Sequence, residues 1–160
     1  MTILLVRHAS AGDRSRWDSD DRLRPLDGRG RIQAERLVAS LADRDVERVL
    51  TSPYVRCRET VNPLASVLGL PVEERLELGE GAGAAAALRL VAELRGAVAV
   101  LCTHGDVVAE MLGEESEKGS VWVLEPQADG LLRRREYLRP GCEDELEGRP
   151  SARRPGARPA

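Results

Sequence analysis

Residues 97–102, Ala-Val-Ala-Val-Leu-Cys, are apolar at every position. The run is far too short to cross a membrane, and it lacks the in-out alternation of a strand with one wet face. A strand of this kind is covered on both sides, which places it in a sheet with helices on both faces. Residues 2–6 form a second such run. They lack the basic lead of a signal peptide and read as a first strand. Residues 46–51, with Val49-Leu50 at their centre, read as a further strand.

Between these strands the periodicity turns helical. Asp27 can cap a helix over 29–42, where Ala34, Leu37, Val38 and Leu41 fall on one stripe. Ser52-Pro53 reads as an N-cap followed by proline at the first helical position, in a helix that kinks or breaks near Pro63 and stops at Gly69. Residues 71–76 are short and extended. Residues 84–95 are alanine-rich and helical, with Ala84, Ala87, Leu88 and Val91 on one face, and Gly96 ends them. A short helix spans 106–112. Residues 121–124 and 131–138 make a hairpin around Asp129-Gly130. The polar stretch 9–27 reads as a loop. The alternation predicts an α/β fold: a three-layer α/β/α sandwich with a mostly parallel central sheet and an antiparallel edge. The chain has 160 residues, enough for one domain. From Pro140 onward prolines and charges dominate, so 140–160 is expected to be a disordered C-terminal tail and 1–139 the folded domain.

A net charge of −3 gives no general attraction to nucleic acid or to an anionic membrane. An anionic ligand would therefore need a local basic pocket. The three cysteines, Cys57, Cys102 and Cys142, have neither disulfide-framework nor zinc spacing. With only two histidines, a transition-metal site is not expected, nor is a cofactor. A reducing cytoplasm is the simplest location, and a monomer or weak homodimer the simplest assembly.

Both histidines stand directly behind apolar strands. His8 follows Leu4-Leu5-Val6-Arg7, and His104 follows Leu101-Cys102-Thr103. In open α/β sheets, ligands bind beyond the carboxyl ends of strands. If the two strands are neighbours, both imidazoles open into one crevice. Leu50-Thr51-Ser52 ends a third strand and feeds a helix start that carries Arg56. Taken singly, these residues read as structural histidines and a surface arginine. Taken together, two arginines and two histidines around one crevice point to an anion, and phosphate matches the forked guanidinium. An imidazole kept neutral by nearby cations can attack phosphorus in line.

Four blocks around these residues carry a family resemblance. Leu5-Val6-Arg7-His8-Ala9 resembles an Arg-His-Gly signature, with Ala in place of Gly. Leu26-Asp27-Gly28-Arg29-Gly30-Arg31-Ile32-Gln33-Ala34, Thr51-Ser52-Pro53-Tyr54-Val55-Arg56-Cys57-Arg58-Glu59-Thr60 and Val100-Leu101-Cys102-Thr103-His104-Gly105 follow in order. Together they resemble the histidine phosphatase superfamily, also called phosphoglycerate mutase-like, over residues 2 to about 112. The resemblance implies a metal-independent phosphohydrolase in which His8 is the phosphorylated nucleophile and Arg7, Arg56 and His104 hold the phosphoryl group. It implies a proton-donating Glu after the third strand: Glu77, with Glu80 as the alternative. Arg14 stands where mutases carry Asn, and the chain has little material for a mutase cap. In its compact size the chain resembles the SixA-like phosphohistidine phosphatases, while Arg7-His8-Ala9-Ser10-Ala11-Gly12, Arg24-Pro25-Leu26-Asp27, Val55-Arg56-Cys57 and Lys118-Gly119-Ser120-Val121-Trp122-Val123-Leu124 resemble more closely the phosphatase domain fused to MutT-type nucleotide hydrolases, although no Nudix domain is present. Expected partners are a phosphorylated small molecule, a nucleotide or a phosphohistidine protein. A non-catalytic phosphate-binding module and a phosphoglycerate mutase-type phosphotransferase are the rivals.

Asp18, Asp20 and Asp21 could bind a divalent cation or form a solvated acidic loop. Arg14, Arg16, Arg22 and Arg24 could contact a polyphosphate or nucleotide, or act only as surface charge. Trp17 could stack on a base or cover apolar surface. Arg133-Arg134-Arg135 reads as a charged edge, and Cys57 and Cys102 as small buried residues.

Overall fold

The computed structural model describes residues 1–140, so the tail expected over 140–160, with Cys142, lies outside the described residues apart from Pro140. The elements are β1 (Thr2–Arg7), α1 (Gly28–Leu41), β2 (Arg48–Thr51), α2 (Val55–Leu68), β3 (Val72–Glu74), α3 (Ala84–Glu93), β4 (Val98–Thr103), α4 (Gly105–Leu112), β5 (Val121–Pro126) and β6 (Leu132–Leu138). Single 3-10 turns occur at Arg14–Arg16, Asp21–Leu23 and Leu76–Leu78. Among the described residues no helix is long and apolar enough to cross a membrane.

The six strands form one sheet in the order β3-β2-β4-β1-β5-β6. β3, β2, β4 and β1 run parallel, and β5 pairs antiparallel with both β1 and β6. This is the expected sandwich with its hairpin edge. Strand residues alternate between two cores. Ile3, Leu5, Leu50, Ala99 and Leu101 pack with Ala87, Leu90, Val91, Val107 and Val108 of α3 and α4. Leu4, Val6, Val49, Val100 and Cys102 pack with Leu37, Leu41, Cys57, Val61 and Leu64 of α1 and α2. Each fully buried Leu or Val contributes about 1.5–3 kcal/mol of apolar transfer. That is why β1 and β4 read as unbroken apolar runs.

Three expectations need correction. Ser52 does not cap α2: the helix begins at Val55 behind Tyr54, which makes no side-chain cap. Ser52 Oγ bonds the Tyr54 N–H and His104 instead. The helix also runs unbroken through Pro63 to Gly69, whose φ of 66° supplies the left-handed stop. An interior proline costs about 3 kcal/mol, and burial of Val61, Leu64 and Ala65 on the same helix offsets it. In α3 the buried face is Ala87, Leu90 and Val91, with Leu88 left partly in solvent. The Asp27 cap stands as expected, its Oδ1 accepting the Gly30 N–H at 2.7 Å.

Candidate active site

The sheet brings the two histidines together through register. In the β1–β4 pair, Val6 faces Cys102 and Arg7 faces Thr103. The His8 N–H then donates to the Thr103 carbonyl at 3.0 Å. Both imidazoles leave the sheet at the same level, with ring centroids 5.3 Å apart. His8 is only 6 % exposed. Its Nδ1 lies 2.8 Å from the carbonyl of Ala9, an acceptor, so the proton sits on Nδ1 and the lone pair on Nε2. Burial, chiefly, lowers the His8 pKa to about 3; the Ala9 hydrogen bond opposes this, and His104, Arg56 and Arg7 add to it.

Arg56 rises from the first turn of α2 and is fully buried. Its Nε donates toward His8 Nε2 at 3.3 Å and its Nη2 toward His104 Nδ1 at 3.4 Å. Arginine can only donate. His104 Nδ1 therefore accepts, and its Nε2–H donates to Ser52 Oγ at 2.8 Å. The same guanidinium donates to the Asp21 carbonyl at 2.8 Å and pairs with the carboxylates of Asp21 at 3.1 Å and Glu80 at 3.4 Å. Arg7 lies against Gly105, where an added Cβ would come within 2.8 Å of the guanidinium carbon. Its Nη1 donates to the Ser116 carbonyl, and its buried Nε has no hydrogen-bond partner among the described residues. All four expected pocket residues are thus brought together.

The two candidate acids part company. Glu77 does not face the pocket; it pairs with Arg75 at 2.8 Å, and that guanidinium, the largest influence, holds the Glu77 carboxyl below the usual range. Glu80 lines the cavity and bonds Arg14 Nη2 at 2.6 Å as well as Arg56. The reason lies in the preceding turn. Leu78 is fully buried, and its carbonyl accepts from Thr103 Oγ1 at 2.7 Å, which points the flanking residues to different sides. The expected first choice, Glu77, is corrected to this extent: of the two, Glu80 lies at the pocket.

The cavity is about 600 Å³ and is lined by Arg7, His8, Gly12, Asp13, Arg14, Arg24, Glu80, His104, Gly105, Asp106, Ala109, Glu115 and Lys118. Lys118 stood in the sequence only within a block of family resemblance, with no role attached, and Arg24 as a possible polyphosphate contact or surface charge; both line the cavity. The acidic loop is spoken for by arginine. Asp20 pairs with Arg22, and Asp21 with Arg14, Arg24 and Arg56. Burial opposes ionisation of Asp21, yet these three guanidiniums hold its carboxyl below the usual range. Among the described residues no group of three or more potential ligands is arranged for a metal ion. Trp17 donates to the Asp20 carbonyl at 2.9 Å. Arg134 lies over the Trp122 ring and pairs with Glu114 on the β6 edge.

The histidine phosphatase superfamily (branch 1) family model matches residues 3–86. An 8-oxo-(d)GTP phosphatase from Mycolicibacterium smegmatis (strain ATCC 700084 / mc(2)155) is 40% identical over 159 residues, covering 89% of this chain and 49% of that protein. The chain thus spans about half the length of this relative. Among solved structures, the protein histidine phosphatase SixA complexed with tungstate shares the fold, with a TM-score of 0.74 and 22% identity, covering 88% of this chain and 97% of that one. Mycobacterial hydrolase 1 does so with a TM-score of 0.72 and 17% identity, covering 88% and 99%.

Proposed function

The chain belongs to the histidine phosphatase superfamily, and from that membership we propose that it hydrolyses a phosphorylated small molecule, a nucleotide among the candidates, through a phosphohistidine on His8. The observation that carries the reading is the state of His8. It is buried, uncharged at neutral pH and fixed in the tautomer that leaves Nε2 as the nucleophile.

In this reading Nε2 attacks phosphorus as the bond to the leaving oxygen breaks. Arg56 swings its Nε–H from the His8 lone pair to a phosphoryl oxygen, and Arg7 offers its unpartnered Nε–H to another. His104, held by Ser52, completes the ring of groups around the equatorial oxygens, where transition-state charge gathers. Glu80 gives its proton to the leaving oxygen. It then takes a proton from the water that hydrolyses phospho-His8, releasing inorganic phosphate. The fixed guanidiniums supply the positive charge, so the chemistry is metal-independent. Residues 1–139 form the phosphatase domain. The 8-oxo-(d)GTP phosphatase relative favours a nucleotide over a phosphohistidine protein.

Rapid acid quench with a phosphate-labelled aryl phosphate tests the reading. Acid-labile label on His8 in the parent, lost in His8→Ala together with turnover, is the expected result. Turnover that survives His8→Ala overturns it.

A further inference from the structure

The phosphoryl pocket described above leaves part of the cavity's positive charge unused. Lys118 lines the cavity, and its backbone is locked next to the nucleophile. The neighbouring Gly119 N–H donates to the carbonyls of Arg7 and His8 at 3.0 and 3.1 Å, and the Lys118 carbonyl accepts from Gln33 Nε2 at 3.2 Å. Gly119 has a φ of 82°, and a Cβ there would press on Gln33 at 3.2 Å, so the tether depends on glycine. Among the described residues no carboxylate lies within ion-pair distance of the Lys118 ammonium.

Two of the carboxylates nearby are already engaged. Asp27 accepts from Ser10 Oγ, the Gly12 N–H and the Gly30 N–H. Asp13 accepts from Ser15 N and Oγ. Arg24 is buried against the same wall, its Nε on Asp21 and its Nη1 on the Ala11 carbonyl. Arg7 adds the buried, unpartnered Nε. Desolvation, then Arg7 and Arg24, push the Lys118 pKa down, while Asp27 opposes them. An ammonium set near Arg7 and Arg24, with no ion-pair partner among the described residues, has the electrostatics of an anion site.

We propose that Lys118 and Arg24, together with Arg7 in the same cavity, form a subsite for a second phosphate joined to the one that His8 attacks. The substrate class is then a terminal phosphoanhydride, such as inorganic pyrophosphate or a nucleoside diphosphate. The inference rests on His8 being the phosphoryl acceptor. The N–P bond forms at His8 Nε2 as the bond from phosphorus to the bridging oxygen breaks. The leaving group is the second phosphate. It carries away the bridging electron pair, takes its proton from Glu80, and has its charge met by Lys118. Water then cleaves the N–P bond, so one anhydride and one water yield inorganic phosphate and the residual phosphate.

The test is calorimetric titration of pyrophosphate and orthophosphate into the full chain carrying His8→Asn, which binds without consuming the anhydride, with and without Lys118→Met. Pyrophosphate should bind about tenfold or more tightly than orthophosphate, and Lys118→Met should reduce that ratio several-fold. A ratio near one in the starting protein, or a ratio that survives Lys118→Met, overturns the subsite. On the otherwise unaltered chain, kcat/KM for a nucleoside diphosphate against its monophosphate gives a second measure. There too, Lys118→Met should erase a preference for the diphosphate, and a preference that persists overturns the subsite. Pyrophosphate hydrolysis tells whether the anhydride must belong to a nucleotide. A parent that turns over aryl phosphate through phospho-His8 but shows no diphosphate preference loses the subsite and keeps the phosphatase. A parent that prefers pyrophosphate but turns over nothing keeps the anion subsite and loses the phosphatase.

Discussion

Arg56 Nε lies 3.3 Å from His8 Nε2, so the buried guanidinium donates into the lone pair that would attack phosphorus. A donor there keeps the imidazole oriented and unprotonated, and it is near enough to pass its N–H to an incoming phosphoryl oxygen. Arg56→Lys keeps the charge and loses the fork that spans His8, His104 and Asp21. We expect kcat/KM for aryl phosphate to fall by about 10²–10³-fold, with the circular dichroism spectrum retained. A fall under threefold would mean the fork is not used.

The lowered His8 pKa gives a prediction about acid. In the folded chain His8 titrates at about 3, against 6.5 when unperturbed. Between those values the unfolded chain binds the proton and the folded chain does not. The contribution of His8 to stability is thus full above pH 6.5 and is lost as pH falls toward 3. Urea unfolding at pH 7 and pH 5 should show the parent losing about 1–2 kcal/mol more than His8→Asn across that step. The same shift removes an inflection near 6.5 caused by the nucleophile from the acid limb of kcat/KM. Equal losses in the two proteins would contradict it.

The two glutamates separate cleanly. Glu80→Gln should lower kcat by about 10²–10³-fold with an alkyl phosphate and far less with p-nitrophenyl phosphate, whose leaving oxygen needs little protonation. Glu77→Gln should leave both rates within about twofold, since it breaks only a partly exposed pair with Arg75. A reversed order would return the acid to Glu77.

Gly30 supplies a stability test away from the chemistry. A Cβ there would sit 1.9 Å from the Ser10 carbonyl oxygen, a backbone atom with nowhere to go. Gly30→Ala should destabilise the protein by about 2–4 kcal/mol, despite alanine's better helix propensity, because the start of α1 must lift off the loop behind His8. Thermal melting measures this. A Tm equal to the parent's or higher would refute the close approach.

The particular residues show why the sandwich was readable and parts of the pocket were not. The unbroken apolar runs of β1 and β4 announced strands covered on both faces, and Asp27 and Gly69 marked helix ends by rules that act within a few residues. Strand ends suggested the convergence of His8, His104 and Arg56 provided that β1 and β4 were neighbours, and the family resemblance supplied the full set with Arg7; the β1–β4 pairing meets that condition. Ser52 was misread because a serine before proline looks like a cap. Only the tertiary neighbour His104, brought by β4, gives its hydroxyl another use. The choice between Glu77 and Glu80 hung on a buried bond from Thr103 to Leu78, which no local pattern encodes. The block that begins at Lys118 was recognisable, but its place at the pocket was not legible for the same reason, since the glycine tether joins it to β1 across a long stretch of sequence.

The placement of β1 beside β4 has a consequence for how the protein comes into being. His8 leaves the ribosome well before its partner strand, which ends at Thr103, and before its counterpart imidazole, His104. Helices α1 and α2 can form while β4 is still unmade, yet the cavity has no second wall until β4 has left the ribosome. Closing that long-range pairing is the slow kind of step. Turnover is therefore a reporter of completed folding: a ribosome-stalled chain ending before residue 98 should have helix and no catalysis.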